Sequence, residues 1–343
     1  MSNRETLDFD FKSGAYGEAV ADVSAVEAVS LTLRLDAAPS MQLRIANPYG
    51  RRANLNQPGD RWEAYIRRGG AGSNAIFIGF QPPDIEPRFE GDHIMVDLLG
   101  YSARLSYLYT PVDANTASGQ DPIAAIKDQF DNETNLNTAG LAGVKLAATV
   151  PYGTFEPELL NRMEVVRTIL PLAIDLTTPE KPLALHWVDA PAIAQASVRQ
   201  VLGLDPTAAA PPESAALTRS GDLARIRRFW SSDLANAAWY KTPSGGIQEY
   251  HDQHGNYGKV HIDELFDDFE SARAAVQRRR LRLPRFELDL TTLHLDLQPG
   301  DIVNVSGTSG PADGYWQITE IKHDFAREQA ATTIKLAERN PES

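Results

Sequence analysis

Apolar and polar positions alternate through much of the first hundred residues. Val29, Leu31, Leu33 and Leu35 share one face of a strand, with Thr32 and Arg34 on the other. Met41, Leu43 and Ile45 repeat the pattern. After a turn at Pro58-Gly59, Trp62, Ala64 and Ile66 line one side, and Arg61, Glu63, Tyr65 and Arg67 line the other. Gly69–Asn74 reads as a flexible hairpin tip. The runs Ala75–Phe80 and Ile94–Leu99 follow, the second with Ile94, Val96 and Leu98 on one side. Period-two patterning over residues 20–112 predicts a small antiparallel barrel or sandwich.

The texture changes in the middle of the chain. Asp121-Pro122 supplies an N-cap and a proline at the first helical position, and Ile123, Ile126 and Phe130 follow at helical spacing. Glu156-Pro157 is expected to open a longer helix whose apolar face holds Leu159, Leu160, Met163, Val166 and Leu170, with Pro171 as its stop. Leu183, Leu185 and Trp187 alternate as a short strand. Asp205–Ala216, with Pro206, Pro211 and Pro212 among alanines, reads as a surface loop or linker.

Strand-like but irregular sequence (Leu223–Trp239) opens the last part, and a polar, glycine-bearing stretch from Thr242 to Gly258 follows. An amphipathic helix is expected over about 263–281. Leu265, Phe269, Ala272 and Val276 lie at i, i+4, i+7 and i+11. Asp263, Glu264, Asp267, Asp268 and Glu270 crowd its start and Arg273, Arg278, Arg279 and Arg280 its end, matching the helix macrodipole. Phe286, Leu288 and Leu290 then alternate.

One motif occurs twice. Gln-Pro-Gly-Asp stands at Gln57–Asp60 and at Gln298–Asp301, each with a leucine close before it (Leu55, Leu297) and a strand-like run after it. A second β-rich run follows each copy, Ala75–Phe80 and Tyr315–Ile321, and then a third, His93–Leu99 and Thr332–Leu336. The shared order suggests two related β-domains at the two ends of one chain. The predicted fold class is α+β, mainly β: two related antiparallel barrels, 1–112 and 221–343, flanking a mixed α/β middle region, 113–220.

Composition narrows the function more than it assigns one. At 343 residues the chain has room for two or three domains and sizeable cores. No apolar run approaches the roughly 20 residues that span a bilayer. The start, Met1-Ser-Asn-Arg-Glu-Thr, lacks the apolar core of a secretory signal, so the chain is expected to be made and kept in a cytoplasm. Zero cysteines rule out disulfides, thiolate zinc sites and cysteine nucleophiles. A net charge of −13 argues against a surface that grips nucleic acid, yet suits a wall that lets DNA slide past.

The polar residues offer few arrangements suited to catalysis. His251, His254 and His261, with Asp252 and Asp263 nearby, could in principle ligate a metal. They match no HExxH-type signature, and their Gly/Asn/Gln-rich surroundings read as a solvated loop. Asp8 and Asp10 would share a strand face, as a glycosidase pair might, but their place near the terminus suggests an exposed edge strand or arm. Arg278, Arg279 and Arg280 read as a helix end, and Gly69–Ser73 lacks the order of a phosphate cradle. No serine sits in a G-x-S-x-G elbow. Trp62, Trp230 and Trp316 could stack sugars or bases, but each lies in or beside a strand-like run, where core packing is the default. No catalytic, cofactor-binding or metal residue is assigned, and no enzyme is expected.

The C-terminal sequence carries a family resemblance. A helix with Ala272, Ala274 and Ala275 runs into Phe286–Leu290. Leu297-Gln-Pro-Gly-Asp-Ile-Val-Asn-Val305, Gly314-Tyr-Trp-Gln-Ile-Thr-Glu-Ile-Lys-His-Asp-Phe325 and Thr332-Thr-Ile-Lys-Leu336 follow. This resembles the C-terminal half of phage baseplate hub or tail-tip proteins, the group that includes late control gene D-type proteins of contractile tails. The N-terminal half is similar in outline, with Pro58-Gly-Asp60 and the strand Ile76-Phe-Ile-Gly79 ending in glycine. The Ala/Pro loop at 205–216 and the His/Gly-rich stretch depart from the pattern, and no lysozyme, needle or peptidase segment is visible. The resemblance implies two tail-tube-like barrels per chain and a homotrimer that forms a pseudo-six-fold ring. It implies partners above (tail tube or distal tail protein) and below (tip or spike protein), a location in the virion tail, and a lumen for tape-measure protein and DNA. Two other readings remain open: a carbohydrate- or receptor-binding adhesion module, which needs an exposed aromatic platform, and a cell-wall hydrolase.

Overall fold

The computed structural model describes residues 7–14, 21–23, 26–47, 59–68, 74–130, 136–138, 141, 144–146, 149–175, 183–191, 198–204, 215–228, 235–251, 259–282, 285–326 and 329–338. In the N-terminal part the alternating runs form β1 (Leu7–Gly14), β2 (Ala21–Val23), β3 (Val26–Arg34), β4 (Ala37–Ala46), β5 (Arg61–Arg68), β6 (Asn74–Phe80), β7 (Arg88–Glu90) and β8 (His93–Gly100). The middle holds β9 (Tyr109–Val112), α1 (Pro122–Lys127), β10 (Leu136–Asn137), β11 (Glu158–Asn161), α2 (Arg162–Ile169), β12 (Ile174–Asp175), β13 (Leu183–Pro191) and β14 (Val198–Leu204). The last part holds β15 (Ala215–Thr218), β16 (Leu223–Arg228), β17 (Ala237–Lys241), β18 (Ile247–His251), β19 (His261–Phe266) and α3 (Phe269–Arg282). It closes with β20 (Phe286–Leu290), β21 (Ile302–Ser306), β22 (Gly314–Ala326) and β23 (Gln329–Glu338). The fold is α+β and mainly β.

The repeated motif corresponds to a repeated strand order. Neighbours run β5-β6-β8-β4-β3 in the N-terminal half and β21-β22-β23-β20-β16 in the C-terminal half. Each Pro-Gly-Asp turn makes the same two backbone hydrogen bonds. Gly59 N–H donates to the Gln81 carbonyl (2.9 Å), and Gln81 N–H donates back to the Asp60 carbonyl (3.0 Å). Gly300 N–H donates to Ile318 (2.7 Å), and Ile318 N–H to Asp301 (2.9 Å). Both turns need a positive φ, +89° at Gly59 and +96° at Gly300, which glycine adopts without a Cβ clash.

The halves are not two separate closed barrels. They merge in one open sheet, ordered β16-β20-β23-β22-β3-β4-β8-β6-β5-β1-β2, with β21, β15 and β7 attached at its sides. The cause lies in β22, which is longer than one half requires. Its first residues pair with β21; then, past a bulge between Ile318 and Glu320, Glu320–Ala326 pair with Arg34–Ala28 of β3. The core is likewise shared. Val29, Leu31, Leu43, Val96 and Leu98 of one half join Leu288, Val303, Ile321, Phe325 and Ile334 of the other.

A second core fills the middle, where Leu105, Val112, Ile126, Phe130, Val166 and Trp187 pack together. Asp121 caps α1 as expected, accepting from the N–H groups of Ile123 (2.7 Å) and Ala124 (3.1 Å). The helix expected from Glu156 starts later. Glu158–Asn161 is instead β11, paired with β9, which leaves Leu159 64% exposed. Asn161 then opens α2 with a capping box: its side chain accepts from Glu164 N–H (2.9 Å), and Glu164 Oε2 accepts from Asn161 N–H (3.2 Å).

The C-terminal helix is also shorter than expected. Asp263–Phe266 belongs to β19, and α3 begins at Phe269, where Asp268 Oδ1 accepts from Ser271 N–H (2.7 Å). Leu265 keeps helical spacing to Phe269, but pairing with Trp239 of β17 holds it in a strand, where it is exposed on the face opposite buried Ile262 and Phe266. β17 lies between β18 and β19, and α3 covers one face of this small sheet through Ala272 and Val276. Of the segment read as a loop, 205–214 lie outside the described residues, whereas Ala215 and Ala216 enter β15, parallel to β21.

Candidate assembly surface

The two faces of the joined sheet differ sharply. On the side away from the core, charges form compensated groups across strand pairs. Arg34 Nε (2.6 Å) and Lys335 Nζ (2.7 Å) both reach Glu320, tying β3 and β23 to β22. Burial opposes ionisation there, but hydrogen bonds from Lys335 and Arg34 hold the Glu320 carboxyl below its ordinary pKa. Gln42 Nε2 (2.8 Å) and Arg88 (3.1 Å) meet Asp97, His93 meets Glu27 (2.9 Å), and Arg227 meets Glu287 (2.8 Å). This face spans both halves and pairs its cations with carboxylates.

At the seam the inward face carries one polar surprise. His323 of β22 pairs with Leu31 of β3 and Thr332 of β23, and is 1% exposed. Its Nδ1 lies 3.0 Å from Thr332 Oγ1, and its ring stacks near Phe325 at 5.9 Å. Burial takes its pKa down to about 4. The alternation Ile321-x-His323-x-Phe325 could have placed it inward.

A second junction ties the sheet to the middle core. Asp36, at φ +51° between β3 and β4, points both carboxylate oxygens at β13: Oδ2 lies 2.8 Å from His186 Nδ1, and Oδ1 accepts from Trp187 N–H (2.9 Å). Asp189, also on β13, accepts from the hydroxyl and the N–H of buried Ser102. A side chain at Gly100 would meet Pro39 at 2.4 Å, so the strands approach only because this residue is glycine. Serine, histidine and aspartate lie close here, but as two separate buried pairs that lock layers together.

The residues singled out in the sequence are scattered. His251 lies on β18 and His261 on β19, not in a loop. Both register with Ala237 of the strand between them, about 10 Å apart by strand spacing. His261 Nε2 meets Glu249 (2.6 Å), which Lys259 also binds, and stacks on Trp239 at 5.1 Å. His254 and Asp252 lie outside the described residues, as does Trp230. Among the described residues no three His, Asp or Glu side chains gather as a metal site. Asp8 and Asp10 sit on β1, which pairs with β5 along its whole length rather than standing off as an arm. Trp62 is 1% exposed, and Trp316 packs edge-on to Phe286 (4.8 Å) with Nε1 donating to the Ala312 carbonyl (2.8 Å). Among the described tryptophans the exposed one is Trp239, which periodicity alone did not single out. Arg278–Arg280 lie in α3. Among the described residues no helix is long and apolar enough to cross a membrane.

No protein-family model matches the sequence, and no curated relative is similar to it in sequence. The fold is nevertheless shared. The tail protein of Neisseria meningitidis MC58 superimposes with a TM-score of 0.64 at 13% identity, covering 96% of each chain. The 43 kDa tail protein of prophage MuSo2 from Shewanella oneidensis does so at 0.61 and 13% identity, over 97% of this chain and 98% of that one. A chain of the Francisella PdpA–VgrG complex matches at 0.55 and 9% identity, over 98% of this chain but 53% of that longer one. Along nearly its whole length, the chain has the fold of phage tail proteins.

Proposed function

We propose that this protein is a structural component of a phage or phage-like tail, a hub at its distal end rather than an enzyme. Three copies form a ring in which six related half-chains alternate around a channel. That ring joins a six-fold tail tube to a three-fold tip or spike, and tape-measure protein and DNA pass through it. The observation that carries this reading is the β3·β22 joint: one half of the repeat already docks edge to edge against the other, as neighbours in a pseudo-six-fold ring must. The compensated charges on the outward face support a channel wall that DNA crosses without being gripped, because the carboxylates there compete for the cations a phosphate would need.

Light scattering on the purified full chain tests the stoichiometry, and negative-stain imaging tests the shape. The expected result is a mass of three chains and a three- or six-lobed ring with a central hole. A monomer at every concentration tried overturns it.

A further inference from the structure

Taken one step further, the repeat leaves one joint unmade. In the C-terminal half, β22 continues as one strand, with a single bulge, from the Pro-Gly-Asp pairing at Ile318 to the hairpin end at Ala326, which pairs with Gln329. In the N-terminal half the same path is interrupted. From Gln81 the chain passes Pro82, Pro83 and Pro87, which lack the N–H a ladder needs, and resumes as β7. β7 and β8 close the equivalent hairpin, with Glu90 opposite His93 as Ala326 is opposite Gln329. Phe89, opposite Ile94, therefore occupies the position of Phe325, opposite Ala330.

The two phenylalanines have opposite surroundings. Phe325 is 3% exposed because β3 lies against that edge of β22, with Val29 in register. Phe89 is 61% exposed, and among the described residues β7 pairs only with β8. The strand equivalent to β3 in the other half is β16. Among the described residues it ends the sheet, paired with β20 on one side only. One chain thus joins its halves once and leaves two complementary edges, β7 and β16. Their charge balances are opposite: exposed Asp84, Glu86, Glu90 and Asp92 outnumber Arg88 around β7, while β16 presents exposed Arg225 and Arg228 beside Arg227, which meets Glu287.

We infer that β16 of one copy adds, antiparallel, to β7 of a second copy and buries Phe89, repeating between chains the joint that β3 and β22 make within one. Such a contact is heterologous and closes a ring rather than a two-fold dimer. The inference rests on the ring reading above and adds to it the strands and residues of the interface.

The test uses the full chain, whose lack of cysteine removes background cross-linking. In Phe89→Asp the mass by light scattering is expected to fall to one third while the far-UV circular dichroism spectrum stays that of the wild type; Tyr152→Asp, at an exposed site outside β7 and β16, keeps the assembly. Leu223 of β16 holds the position of Val29, so Phe89→Cys combined with Leu223→Cys is expected to give a covalent ladder up to three chains on oxidation, whereas Tyr152→Cys with Leu223→Cys gives none. If the wild type is trimeric, Phe89→Asp stays trimeric and the 89/223 pair fails to cross-link, this interface is overturned and the ring stands. A monomeric wild type overturns the ring and this interface together.

Discussion

His323 gives the seam an acid sensitivity whose size follows from its burial. The imidazole sits on the core face between β3 and β23, and burial depresses its pKa from 6.5 to about 4. Of the charged neighbours, Asp324 and Asp296 work against that shift and His294 adds to it. Between these two values the unfolded chain binds a proton at this residue that the folded chain does not. Stability therefore falls as pH falls through that window and is unaffected by this group above it. From pH 7 to pH 5 the loss amounts to about 2 kcal/mol, and to roughly 3 kcal/mol once pH reaches 4. The assay is urea unfolding at both pH values for the wild type and for His323→Gln, which keeps a hydrogen-bonding group for Thr332 but does not titrate. Carboxylates elsewhere titrate in both proteins, so the difference between them isolates His323. The variant is expected to lose about 2 kcal/mol less than the wild type between pH 7 and pH 5. Equal losses in the two proteins would refute the reasoning.

Three further substitutions probe separate features. Gly79→Ala puts a Cβ 2.2 Å from the Leu99 carbonyl oxygen, a backbone atom, and is expected to cost about 1–3 kcal/mol in chemical unfolding, as overpacked strands do. Asp36→Ala strips His186 and Trp187 N–H of their shared acceptor, and a loss of about 3 kcal/mol is expected, read as a drop in the thermal midpoint. Asn161→Ala removes the α2 cap for about 1 kcal/mol, and an unchanged midpoint would show that β11 rather than the cap sets the start of this helix.

Local pattern revealed the strands and little of what joins them. The faces of β3, β4, β5 and β8 were legible because one side is buried and the period is two, so Leu31, Met41, Trp62 and Val96 announce themselves. The repeated Pro-Gly-Asp was legible because a positive φ leaves a glycine in place at both sites. The helix starts at Arg162 and Phe269 were missed because apolar residues at helical spacing, Leu159 and Leu265, continue back into the preceding strands; Asn161-x-x-Glu164 was the better signal at the first. The merging of the two halves has no local signature. It depends on β22 meeting β3, and residues such as Arg34 and Glu320 are 286 positions apart. His186 and Asp36 escaped notice for the same reason, being 150 positions apart.

That a late strand completes the edge of an early one has a consequence for biogenesis. As synthesis proceeds, β3 emerges with its outer edge unoccupied, and it stays so until β22, near the end of the chain, has been made. Polypeptides cut short before Gly314 keep that sticky border and lack the covering strand. Only the finished chain seals that seam, so truncated translation products are expected to be more prone to aggregate than the full-length protein.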